Sequence, residues 1–112
     1  MKAKRKIISD VSIGRLTFKF KAAVWVWEGP AAWHFTTLPT ELSHEISELF
    51  ADQKRGFGSL PVEVSISDLI WQTSIFPDKK RGGYLLPLKK EILKKASLAV
   101  GEIVEFKIAI AV

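Results

Sequence analysis

The chain has 112 residues, 47% hydrophobic and 26% charged, a size and balance that suit one globular domain and exclude a disordered chain. It has no cysteine, which excludes disulfides, thiolate metal sites and cysteine nucleophiles. Its net charge is +5, and no apolar run approaches the ~20 residues of a membrane helix.

Met1 to Ile13 opens with Lys2, Lys4, Arg5 and Lys6 and lacks the apolar stretch of a secretory signal. It reads as a loosely ordered basic arm, 1–13, ahead of a single domain, 14–112. The expectation is a soluble, cytoplasmic protein, monomer or homodimer, without cofactor or membrane partner.

Arg15 to Trp27 reads as a long strand. Leu16, Phe18, Phe20 and Ala22 alternate with Thr17, Lys19 and Lys21, so one face is apolar and the other wet. From Val24 to Trp27 both faces turn apolar, which predicts an end buried on both sides or covered by a helix. Glu28-Gly29-Pro30 makes a turn. Ala31 to Leu38 returns antiparallel, with Trp33 and Phe35 on one face and His34 and Thr36 on the other. Pro39 ends that strand, and Thr40 is placed to cap a helix running to about Gln53. The helix has a stripe of Leu42, Ile46, Leu49 and Phe50. Glu41 and Glu45 lie early and Lys54-Arg55 late, as its dipole favours.

Gly56 and Gly58 close the helix, and Leu60 to Ser67 alternates as a strand. Leu69 to Phe76 follows, joined through a hairpin near Asp68 or continuous with it through a bulge. Pro77 to Gly83 is a polar loop. Tyr84, Leu85 and Leu86 form a short strand that Pro87 is expected to stop. A short helix from Lys89 sets Ile92, Leu93 and Ala96 against Lys90, Lys94 and Lys95. After a turn at Gly101, Val104, Phe106, Ile108 and Ile110 give the last strand a wholly apolar face. The count is about six strands and two short helices.

Three groups of residues carry a family likeness: Ala32-Trp33-His34-Phe35 with Leu38-Pro39, Gly82-Gly83-Tyr84-Leu85-Leu86-Pro87-Leu88, and Leu98-Ala99-Val100-Gly101-Glu102. In this order they resemble the domain of unknown function 1905 family. The run of strand, Leu-Pro, short basic helix and turn is similar to the double-split β-barrels of AbrB and MazE type transcription factors. The resemblance implies a mainly β fold, a small closed or pseudo-barrel with two short helices, and no catalytic residues to carry over. A strand, turn, aromatic strand, Leu-Pro and helix occur twice, near 24–50 and 72–97. One polypeptide would then supply both halves of the barrel, unless the likeness is coincidence.

Chemistry is sparse. His34 and His44 are the only histidines, too few for a zinc site. Gly56-Phe57-Gly58-Ser59 lacks the Lys-Ser/Thr of a phosphate loop and reads as a helix exit. Ser59, Ser65 and Ser97 have no recognisable base, and Asp68 and Asp78 read as turn residues. Residues 79–95 concentrate Lys79, Lys80, Arg81, Lys89, Lys90, Lys94 and Lys95 against Glu91. Of these, Lys79, Lys80, Arg81, Lys90, Lys94 and Lys95 are candidates for contact with nucleic acid or another anion, the alternative being a solvated face. Among the aromatics, Trp25 joins Trp27, Trp33 and Trp71 as expected core. Trp27, Trp33, Trp71 and Tyr84 are the candidates to line a pocket instead.

Overall fold

The computed structural model describes residues 14–111 in full and residues 8–12 by their backbone. Seven strands and two helices follow one another as β1 (Ile8–Ser12), β2 (Arg15–Trp27), β3 (Trp33–Thr37), α1 (Thr40–Leu49), β4 (Leu60–Ile66), β5 (Leu69–Asp78), β6 (Gly83–Leu88), α2 (Lys90–Lys95) and β7 (Ile103–Ala111). All pairings are antiparallel. The order β2-β3-β6-β5-β4-β7 closes on itself through β2 and β7, giving the six-stranded barrel expected, with β1 laid along the first residues of β2.

The barrel closes because its two longest strands each serve two sheets. In β2, Arg15–Ala23 pair with β7, and Val24–Trp27 pair with β3. In β5, Leu69–Ile75 pair with β4, and Phe76–Asp78 pair with β6. The element order strand, strand, helix occurs as β2-β3-α1 and again as β5-β6-α2, and the two short strands β3 and β6 lie side by side. Inside, Phe18, Phe20 and Val24 of β2 meet Phe106, Ile108 and Ile110 of β7, Val62 and Val64 of β4, and Leu86 and Leu88 of β6. Phe20 and Phe106 are register partners with ring centroids 5.3 Å apart. Leu42 and Ile46 of α1, with Phe50 just beyond it, complete the core.

Ser43 joins α1 to the barrel. Its buried hydroxyl accepts a hydrogen bond from the Tyr84 N–H at 2.9 Å and donates to the Leu38 carbonyl at 3.4 Å. It therefore stands inside what would be the next rung of the β3–β6 ladder, where the chain turns away into the helix. Gly83 makes this possible. A Cβ there would lie 2.6 Å from the Leu38 oxygen and 3.0 Å from the serine hydroxyl.

Several expectations are corrected. Pro87 does not stop β6; it pairs with Phe35 inside the strand. The Leu38 N–H donates to the Tyr84 carbonyl at 2.9 Å, which puts Tyr84 and Leu86 at hydrogen-bonded positions and Pro87 between them. The side of Pro87 that lacks an N–H faces β5 beyond Leu85, where the β5–β6 ladder has ended. Thr40 is not the cap of α1; Pro39 holds that position and Thr40 begins the helix. The helix stops at Leu49, and Ala51–Gln53 forms a separate 3₁₀ turn. Lys54 and Arg55 therefore lie past the end of the dipole they were expected to complement, and Leu49 is exposed rather than in the core stripe. Between β4 and β5 the hairpin holds and the bulge does not. Ile66 pairs with Leu69 across Ser67-Asp68, with Ser67 at φ +52°. The end of β2 is not buried on both sides: only Val24 is fully enclosed, and Trp27 is exposed.

Candidate binding face

Strand β3 is inverted with respect to hydrophobicity. Its more polar phase, His34 and Thr36, is the one that faces the barrel, with Thr36 enclosed and His34 half-buried at the barrel's rim, and its aromatic phase, Trp33 and the half-buried Phe35, points outward. Thr36 is 0% exposed, whereas Trp33 is 59% exposed. Register fixes this phase. Thr36 lies between Val24 and Leu86, both buried, and its hydroxyl donates to the Ala23 carbonyl at 2.8 Å, so its burial leaves no donor unpaired. An aromatic strip is therefore held outside for want of any other phase.

The strip continues across the neighbouring strands. Trp27 and Trp33 are register partners with centroids 5.7 Å apart and planes tilted by 32°. Trp25 and Phe35 follow at 5.1 Å and 33°. The Trp25 indole N–H donates to the Thr37 hydroxyl at 2.9 Å, and the Arg81 guanidinium sits 4.1 Å from the centre of the Trp25 ring. Gly29 lies against the Trp27 ring so closely that a Cβ would come within 2.2 Å of it. Beside the strip is an open groove of about 670 Å³, lined among others by Pro30, Trp33, Phe35, Pro87, Lys89 and Lys90.

The candidate cations fall into two groups. Lys79, Lys80 and Arg81 occupy the β5–β6 turn, and Lys90, Lys94 and Lys95 lie on α2. The six residues of β6 separate them, roughly 17 Å of strand rise. Arg81 is also tied to Asp78 at 2.7 Å; that bond, aided by the backbone N–H of Lys80, holds the Asp78 carboxyl below the usual carboxylate range. The four pocket candidates occupy three places. Trp27 and Trp33 meet on the outer strip. Trp71 lies half-buried on β5, opposite Val64 of β4. Tyr84 is buried and reaches a smaller groove of about 400 Å³ between α1 and the β5–β6 turn. Burial raises its phenol above the ordinary tyrosine value, opposed by a hydrogen bond with Ser47.

Phe35 and Pro87 were not singled out from the sequence as pocket contacts, and Trp25 and Lys89 were seen there only as members of the tryptophan cluster and the basic patch, outside the pocket and anion candidates. The available signal was the Gly29-Pro30 turn, which forces Trp25 and Trp27 opposite Phe35 and Trp33. The expectation that the tryptophans are core fails for Trp27 and Trp33, for the reason of phase given above. His34 lines the groove edge and His44 is exposed on α1. Among the described residues, no three His, Cys, Asp or Glu side chains gather into a potential metal site, and no helix is long and apolar enough to cross a membrane. Gly56–Gly58 is a 3₁₀ turn with Phe57 fully exposed at φ +59°.

These features define a small closed β-barrel domain with two helices and an aromatic, cation-flanked outer face on one half. The chain belongs to the domain of unknown function family DUF1905, whose model matches residues 20–108, from within β2 to within β7. No curated protein matches the chain.

Proposed function

We propose that this domain is a non-catalytic binding module that engages an anionic partner on the outer strip of β2, β3 and β6. The observation that carries the reading is Trp33 and Phe35 turned outward beside Lys89 and Lys90, on a strand whose polar residues go inside. Exposed aromatic surface costs solubility unless something covers it, and groups that combine a few polar contacts with apolar walls are typical of ligand sites.

A second reading is duplex DNA held by the 79–95 cations. It draws on their number and on the likeness to AbrB and MazE type barrels, which is an argument from fold. Against it, β6 splits the cations into two groups, and Asp78 offsets Arg81.

The test is a ¹⁵N chemical-shift titration with dextran sulfate and with a short oligodeoxythymidylate at low salt. The reading expects shifts at the Trp27 and Trp33 indole N–H groups and at the Lys89 and Lys90 amides. Shifts confined to α2 and the β5–β6 turn support the duplex reading instead. No shift with either polyanion ends both.

A further inference from the structure

Resting on that reading, we infer that the partner is single-stranded nucleic acid, its bases stacked on Trp33 and Trp27 and its backbone held by the cations at the two ends of β6. Three observations point this way. Trp33 and Trp27, 59% and 44% exposed, are flat rings standing side by side on the sheet, and Phe76 on β5, on the same face but level with the far end of β3, is 41% exposed. Stacking on such rings tolerates any base, because every base has a π-face. Next, Lys89 and Lys90 lie at one end of the strip and Arg81 at the other, with Lys79 and Lys80 in the same turn and Lys79 lining the groove beside α1, so a chain running along β6 meets positive charge where it enters and where it leaves. Of the carboxylates in this part of the chain, Asp78 is already paired with Arg81, Glu28 and Glu91 are one residue from Trp27 and Lys90 in sequence, and Glu41 opens α1 beside the β5–β6 turn. Finally, Arg81 lies over Trp25, so one cation already extends the stacking surface rather than standing apart as a point charge.

A duplex fits less well. Its bases are stacked on one another and cannot reach the rings, and its phosphates call for a continuous rail of cations. A second copy of this chain fits less well too. An isologous contact rotates the face onto itself, and both ends of this face are cationic, so either orientation opposes like charges.

The experiment measures binding of fluorescein-labelled eight-nucleotide probes to the full chain by anisotropy at two salt concentrations. The probes are oligodeoxythymidylate, its abasic sugar-phosphate equivalent and a blunt duplex, with polyglutamate of equal charge as competitor. The expected result is that the thymidylate binds about tenfold or more tightly than the abasic strand and the duplex, with quenching of tryptophan emission. Trp33→Ala should cost about tenfold and Trp33→Phe much less, while Lys89→Gln with Lys90→Gln lowers the salt slope by about one to two. Equal affinity for thymidylate and abasic strand, a duplex bound as tightly, competition by polyglutamate at equal charge, or concentration-dependent dimerisation that buries the strip overturns the inference. Equal thymidylate and abasic binding at this face would leave the anionic-partner reading standing. Should Trp33→Ala fail to fold by circular dichroism, the thymidylate-to-abasic ratio on the unaltered chain decides alone.

Discussion

Ser43 fills a position where the backbone has run out of partners. Replacing it with Ala leaves the buried Tyr84 N–H unpaired, and a buried unsatisfied donor costs about 1–3 kcal/mol. Denaturant melts of Ser43→Ala should show that loss, and Ser43→Thr should recover part of it; a cost below about 0.5 kcal/mol would mean that water replaces the hydroxyl. Tyr84 offers a cleaner reading, being the only tyrosine of the chain. Its folded pKa is raised by burial, so the contribution of the neutral phenol is present below the unfolded value near 10 and is lost as pH climbs through the folded one. Absorbance at 295 nm should give a tyrosinate midpoint above 10, close to alkaline unfolding; an ordinary midpoint in the intact protein would contradict the burial. Tyr84 was named from the sequence as a strand residue and pocket candidate, but the role of Ser43 was not legible: nothing local announces that a strand will end against it.

At the scale of elements, β3 tests the claim about phase. Thr36→Asp puts a charge into the core between Val24 and Leu86 and should cost several kcal/mol, enough to unfold a domain of this size. Trp33→Thr, on the exposed side, should change stability by less than about 1 kcal/mol. Thermal melts of the two variants would reverse this order if the aromatic face were the buried one. Alternation of side chains gives a strand its period and says nothing about which set goes in. β7 was legible because one face is entirely apolar, and Val104, Phe106, Ile108 and Ile110 are indeed all buried. In β3 the apolar set was the wrong guide, since Leu86 and Leu88, some fifty residues on, decide the phase. Pro87 misled for a related reason. A proline interrupts a ladder only on the side its nitrogen faces, and that side depends on where β5 stops. Gly83 makes a third test. Gly83→Ala drives a methyl group at the Leu38 carbonyl, so it should destabilise by about 1–3 kcal/mol and shift the α1 and β6 amides together.

The whole molecule is organised by the pairing of Arg15–Ala23 with Ile103–Ala111, contacts about ninety residues apart in sequence. The closed six-stranded ring was anticipated from the family likeness and from the repeated strand-and-helix plan. The identity of the two strands that close it was not: the change of pattern at Val24 falls where β2 leaves β7 for β3, but nothing local names either partner. Such non-local pairing predicts slow folding, milliseconds to seconds, and stopped-flow refolding should show it; microsecond folding would mean that local hairpins carry the stability.

The same closure has a consequence on the ribosome. β2 is the first barrel strand to emerge, and its long partner is the last, so one flank of Leu16, Phe18 and Phe20 stays open while everything between is translated. The nascent barrel thus stays an unsealed sheet until β7 is released, and only then are those side chains covered on both flanks.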